Sequence, residues 1–271
     1  MFKQCRTQMT RVSAMTLVSL TLLFTAGCHR DPNVVKQKYL ESGKQFEAKG
    51  KYKEAAIQFS NALKIDKNYG DAHYELAKTY MKMDSAMPAY TELMRAVYFS
   101  PSNQQARIDL GNFLLAAHAI DRADAQAKAV LALNPNNADA YELLGGIAQS
   151  KGDSAEAMKN VQHALQIDPS RPAFHTAMAL LQAGNPATEG AAEDELRKAA
   201  SLDTKSATPH LVLAALLEKK GNLQGAEQEY TTGIKIAPTN LQPRAQLAGL
   251  YFREGNKDKA EQTLQIGRAH V

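Results

Sequence analysis

Few residues of this sequence could carry out chemistry, and the first of them is a cysteine. The chain has 2 Cys. Cys5 lies in a cationic N-terminal stretch, whereas Cys28 directly follows the small residues 25–27. The apolar run between them, Val12–Phe24, has about 13 residues where a membrane-spanning helix needs roughly 20. Residues 1–27 therefore read as a secretory signal, which leaves Cys28 as a lone thiol with no disulfide partner in an exported chain.

Small residues directly before a cysteine resemble the lipobox of bacterial lipoproteins, although the Leu preferred three residues before the cysteine is replaced by Thr25. The resemblance implies that Cys28 is acylated and anchors the chain in a membrane. His29 stands where an Asp would favour retention in the inner membrane. The resemblance thus predicts an outer-membrane lipoprotein facing the periplasm of a Gram-negative bacterium. The alternative is ordinary cleavage after Ala26, with Cys28 unmodified.

Histidines are the next candidates for metal binding or acid–base catalysis. Three of the 7 His, namely His73, His175 and His210, occupy one phase of the repeat described below, and no pair has the i, i+4 spacing of a helical zinc site. We interpret them as packing residues with satisfied nitrogens. The Gly145-Gly146 pair lacks the Lys and Ser or Thr of a phosphate loop, and no GxSxG motif is present. The sequence predicts no catalytic residue, no metal, no cofactor and no enzyme activity.

Charge argues against nucleic acid as a partner. The chain carries 32 Lys plus Arg against 28 Asp plus Glu, but Lys3, Arg6 and Arg11 all lie in the signal. The rest of the chain is close to neutral, so a polyanion has no electrostatic attraction to it.

A repeat of 34 residues organises the remainder of the chain. Its clearest marker is a small residue at one phase: Ala55, Ala89, Ala123, Ala157, Ala192, Ala226 and Ala260. Larger side chains follow four residues later in most units, and further small ones three residues after that. These spacings place the three positions on one helical face. All 10 Pro fall in loops, in first helical turns or near the N-terminus, which favours helical hairpins.

This pattern resembles the tetratricopeptide repeat (TPR), most fully in the unit that starts at Ala138. Its matching residues are Tyr141, Leu144, Gly145, Ala157, Val161, Ala164 and Pro169. The resemblance implies an all-α fold, a right-handed superhelix of helix-turn-helix hairpins with about seven repeats, of which the last is incomplete. The predicted boundaries are a signal at 1–27, a tether at 28–35 and an array at 36–265, with units starting near 36, 70, 104, 138, 172, 207 and 241.

TPR arrays bind protein or peptide partners in a concave groove lined by the first helix of each unit, at repeat positions 2, 5, 9 and 12, counted from the start of the unit. Carried over to this chain, the resemblance implies these partner-binding residues: Tyr74, Lys78, Met81, Ile108, Asn112, Leu115, Glu142, Leu211 and Phe252. Tyr74, Met81, Ile108 and Leu115 would form an apolar track. The alternative is that such residues pack laterally or lie singly on the surface.

The end of the sequence changes character at residues 266–271. The string IGRAHV resembles the in-frame translation of a short-read sequencing adapter, so we expect the natural chain to continue beyond Gln265. The resemblance as a whole predicts a membrane-anchored periplasmic scaffold, similar to TPR lipoproteins of exopolysaccharide export or of secretin and pilus assembly. The alternative is the targeting and docking module of a longer enzyme.

Overall fold

The computed structural model describes residues 31–268. The predicted signal of residues 1–27, Cys28 and the last three residues of the predicted adapter segment lie outside the described part of the chain.

Residues 31–268 form fourteen α-helices and no strand, which confirms the predicted all-α array of hairpins. The helices are α1 (Pro32–Ala48), α2 (Tyr52–Ile65), α3 (Gly70–Lys82), α4 (Ala86–Phe99), α5 (Gln104–Ala116), α6 (Ile120–Leu133), α7 (Ala138–Ser150), α8 (Ser154–Ile167), α9 (Pro172–Gln182), α10 (Glu189–Leu202), α11 (Thr208–Lys219), α12 (Leu223–Ile236), α13 (Leu241–Arg253) and α14 (Lys257–Arg268).

The chain divides into two compact units, Met1–Pro101 and Ser102–Val271. The described part of the first contains the hairpins α1–α2 and α3–α4, and the second contains the five hairpins from α5 to α14. The first helix begins at Pro32, inside the range predicted as a tether, because Asp31 caps its N-terminus by accepting a hydrogen bond from the Asn33 amide at 2.8 Å.

Turns within the hairpins share one backbone conformation at repeat position 15. Gly50, Gly152, Gly221 and Gly255 have φ between 70° and 81° there. Asp84 and His118 hold the equivalent position in the second and third repeats, with φ of 52° and 56°. A residue in this left-handed conformation ends the first helix and reverses the chain.

Small residues allow the two helices of a hairpin to approach closely. The alanines at repeat position 20 in the first six repeats are fully buried. A Cβ at Gly145 would lie 2.7 Å from Val161 Cγ2, too close for any real contact, and a Cβ at Gly43 would overlap the Phe59 ring. Close helix packing therefore explains Gly145.

Contacts between hairpins place the first helices in an inner layer. Within the second unit, α5 contacts α7, and α9 contacts both α7 and α11, in addition to the packing of each second helix on the next first helix. In the first unit α1 contacts α3 in the same way. The side chains of first helices that are not used in this packing line the inner surface.

Candidate protein-binding surface

In the first unit, the predicted groove residues lie together on α3. Lys78 Nζ donates to Glu75 Oε2 at 2.6 Å and lies 5.4 Å from the centre of the Tyr74 ring. Met81, one helical turn further on, is exposed. This arrangement presents a thioether and an aromatic ring beside a cation whose charge is balanced by its own helix.

In the second unit, the predicted groove residues differ in accessibility. Ile108 and Leu211 are buried, so they support the surface from beneath rather than form it. Leu211 fills space left by Gly233 of α12, since a Cβ at Gly233 would lie 3.1 Å from Leu211 Cδ2. Asn112 is exposed, Leu115 is partly buried, and Phe252 is 64% exposed. Leu180, at the corresponding phase of α9, is 57% exposed.

The inner helices of the second unit carry no Lys or Arg at repeat positions 2, 5, 9 and 12. Three acids occupy these positions: Asp139, Glu142 and Glu218. Two of them form ion pairs within the chain, Asp139 with Arg171 at 3.3 Å and Glu218 with Arg253 at 2.5 Å. The exposed apolar side chains thus lie on a surface of negative character.

Glu142 differs from the other two acids because its carboxyl is poorly solvated. Burial raises its pKa, the negative charge of Asp139 raises it further, and Arg171 lowers it. Arg171 is itself engaged with Asp139 and Asp168. A positively charged group brought to Glu142 would relieve this unfavourable environment.

The histidines at repeat position 4 pack as predicted, but they also form pairs that the sequence interpretation missed. His73 Nδ1 lies 2.5 Å from Glu92 Oε2, His175 Nδ1 lies 2.5 Å from Glu195 Oε2, and His210 Nδ1 lies 2.6 Å from Glu229 Oε2. The signal was available, since each carboxylate lies 19 or 20 residues after its histidine. Each pair joins the first helix of a hairpin to its second helix.

No group of three or more His, Cys, Asp or Glu residues in the described part of the chain could hold a metal ion. Among the same residues, no helix is both long enough and apolar enough to cross a membrane.

Models of known families match three segments of the chain. The model described as "TPR repeat" matches residues 43–84, and models described as "Tetratricopeptide repeat" match residues 138–171 and 219–270. The fold and the inner surface first define the class of protein, a solenoid of stacked helical hairpins. The hairpins in these three segments are tetratricopeptide repeats.

Parts of this chain are similar in sequence to known proteins. DnaJ homolog subfamily C member 3 of Homo sapiens is 28% identical over 134 residues, which are 49% of this chain and 27% of that protein. Cellulose synthase 1 operon protein C of Komagataeibacter xylinus is 28% identical over 158 residues, 54% of this chain and 12% of that protein. The chain therefore spans about a quarter or less of the length of these relatives.

Among solved structures, that of pilF from Pseudomonas aeruginosa superposes with a TM-score of 0.59 at 19% identity. The match covers 79% of this chain and 96% of that one. At this identity the likeness establishes the fold.

Proposed function

We propose that this chain is a membrane-anchored periplasmic scaffold that holds a protein partner on its inner helices, within an envelope assembly or export system. The observation that carries the proposal is the exposure of the large apolar side chains Leu180 and Phe252 at repeat positions 9 and 12 of two inner helices. Large exposed apolar side chains on a rigid, ordered surface are typical of sites for protein partners.

The composition of this surface also indicates what it would bind. In the second unit, apolar side chains with acids among them and no cation at repeat positions 2, 5, 9 and 12 favour a segment that carries apolar and basic side chains. Glu142 is the acid best placed to contribute, because the burial that raises its pKa also strengthens its attraction for a partner cation.

The resemblance implies either exopolysaccharide export or secretin and pilus assembly. The similarity to a protein of a cellulose synthase operon supports exopolysaccharide export. Anchoring rests on Cys28, the only thiol after the signal. Two or three acyl chains would hold the array durably at the outer membrane.

Anchoring is tested by expression of the full chain in a Gram-negative host with labelled palmitate. We expect the label to enter the protein and Cys28→Ala to abolish it, while the matched control Cys5→Ala keeps it. Label that persists in Cys28→Ala would contradict acylation at this residue.

Partner binding is tested by a photocrosslinking amino acid placed at position 180 or 252 of the full chain in its host. The control position is 159, where the Lys side chain is 76% exposed on the second helix α8. We expect discrete crosslinked products at positions 180 and 252 and none at 159. Equal products at all three positions, or none at any, would refute a binding surface on the inner helices.

A further inference from the structure

Repeat position 4 of this chain carries a basic side chain in five of the seven units. The TPR resemblance places an aromatic residue there. The five residues are His73, Arg107, His175, His210 and Arg244. Recurrence of two basic residue types at one structural position indicates a shared task.

The histidine contacts show what that task is. In addition to the Glu92 carboxylate, His73 contacts the Lys67 carbonyl oxygen, 2.9 Å from its Nε2. His175 repeats the arrangement with Glu195 and with the Pro169 carbonyl oxygen, also 2.9 Å from Nε2. The carbonyl lies six residues before the histidine in both cases, in the turn that enters the first helix. Each imidazole therefore ties that turn, its own helix and the second helix of the hairpin together.

Each of the two arginines makes one of these contacts, and each carries a permanent charge. Arg107 Nη1 donates to Gln126 Oε1 at 3.0 Å, and Gln126 holds the repeat position that Glu92 holds in the preceding unit. Arg244 Nη1 donates to the Pro238 carbonyl oxygen, again six residues earlier. The position thus faces hydrogen-bond acceptors in every one of these units, and arginine meets them as a cation.

Counting hydrogens gives the charge state of the histidines. A carbonyl oxygen only accepts, so Nε2 of His73 and His175 must carry a hydrogen. A neutral ring with its hydrogen on Nε2 has no hydrogen on Nδ1, so Nδ1 would face the carboxylate as a second acceptor. Both rings are almost fully buried, with side chains 5% and 3% exposed, so water cannot supply a substitute partner. Only the doubly protonated ring satisfies both acceptors.

Cations near each pair favour the charged form of its carboxylate. Glu92 also accepts from Arg95 Nη1 on α4 at 2.6 Å, which stabilises the carboxylate. In the turn before His73, a hydrogen bond from Lys36 of α1 lowers the pKa of Asp66, with a smaller contribution from the charge of His73.

His175 and His210 have comparable surroundings. Lys198 of α10 lines the cleft that holds His175 and Glu195, the side chains that α8 adds to this cleft are uncharged, and Asp168 and Arg171 of the preceding turn pair with each other. Glu229, the partner of His210, lies near Arg197 of α10.

We propose that His73 and His175 act as proton-dependent clamps: as imidazolium ions they hold the entry turn and the two helices of their hairpins together, and loss of the proton loosens these hairpins at alkaline pH. The change is one of protonation and is therefore reversible. Its sign follows from the contacts. Each folded ring faces two acceptors, so loss of one hydrogen removes a hydrogen bond that the unfolded chain does not make, and stability falls as pH rises.

The test compares the full chain with a His73→Arg, His175→Arg variant, which places at both sites the residue found at positions 107 and 244. Urea midpoints are measured by circular dichroism from pH 5.5 to 9. We expect the midpoint of the unchanged chain to fall over this range by clearly more than that of the arginine variant. Parallel curves would overturn the proposal.

A second measurement does not depend on variants that fold. In ¹⁵N spectra of the labelled chain at pH 7, we expect both ring nitrogens of His73 and His175 to carry bonded hydrogens. Exposed His118 serves as the internal control. Resonances are assigned with His73→Gln and His175→Gln. One bare nitrogen in each buried ring would refute the charged pair.

Discussion

Two individual residues in the second unit, Glu142 and Gly145, show opposite relations between packing and function. Glu142 is a partly buried acid on the proposed binding surface, where desolvation works against its charge. Gly145, three residues later, has no side chain because the second helix occupies that space. The charge of Glu142 lowers the stability of the fold and contributes to the proposed binding surface. The glycine at position 145 serves packing alone.

We expect Glu142→Gln to stabilise the array at pH 7. Because the folded-state pKa of Glu142 is raised, the folded chain binds this proton more tightly than the unfolded chain. Stability therefore falls as pH rises through the two pKa values, and the charged group carries a constant cost above them. The urea midpoint of Glu142→Gln should exceed that of the unchanged chain at pH 7 and match it at pH 3. A lower midpoint at pH 7 would contradict the unfavourable environment.

Substitution of Gly145 should have the opposite effect. Gly145→Ala places a Cβ 2.7 Å from Val161 Cγ2, so the hairpin must open, at about 1 to 3 kcal/mol. Gly190→Ala is the matched control, since nothing lies within 4 Å of its Cβ position in α10. Chemical denaturation should show a loss for the first variant and none for the second. Equal midpoints for the two variants would argue against close packing at Gly145.

At the scale of elements, the turns inside the hairpins differ in which residue adopts the left-handed conformation. Four turns have Gly at the left-handed position, whereas the second and third repeats use Asp84 and His118. A residue with a Cβ is disfavoured in this conformation, although Asp is tolerated better than most.

Replacement of both residues by glycine should therefore stabilise the chain. We expect Asp84→Gly and His118→Gly to gain about 0.5 to 1 kcal/mol each, with Gly152→Ala losing a similar amount as the reverse control. Thermal unfolding followed by circular dichroism measures all three. A loss on Asp84→Gly would show that its side chain contributes more than its backbone costs.

Most of these elements could be predicted from the sequence, because the repeat period and the helix-facing small residues are local patterns. The burial of Ile108 and Leu211 could not be predicted, since it depends on how neighbouring first helices approach one another. The histidine–carboxylate pairs needed a second kind of pattern, a histidine and an acid 19 or 20 residues apart. The family resemblance drew attention to the packing role at that position and away from this pattern.

For the whole molecule, the hairpin α13–α14 differs from the hairpins before it. At repeat position 24 every unit before it buries its side chain, from Phe59 to Tyr230, but Leu264 is 50% exposed. Leu264 shares an apolar cleft with Phe252 and Ala248. This cleft is therefore a surface on which the chain could associate.

The exposed cleft around Leu264 predicts self-association of this chain. We expect sedimentation velocity of the chain to show concentration-dependent oligomers that Leu264→Glu disperses, because a buried carboxylate at a contact is costly. Ile57→Glu is the control, since Ile57 is also exposed but lies on the second helix α2. Oligomers that persist in Leu264→Glu would show that this face is not the contact.

The fifth hairpin has a turn unlike the others. Between α9 and α10 the chain passes through exposed residues 184–187, and Thr188 Oγ1 donates to the Gln182 carbonyl oxygen at 2.6 Å, which holds the two ends of the turn together. Lengthening a loop whose ends are already fixed costs little, since the entropy of closure grows only with the logarithm of its length. This turn is accordingly where the array could acquire an inserted domain, in evolution or in the laboratory, and still stack its repeats.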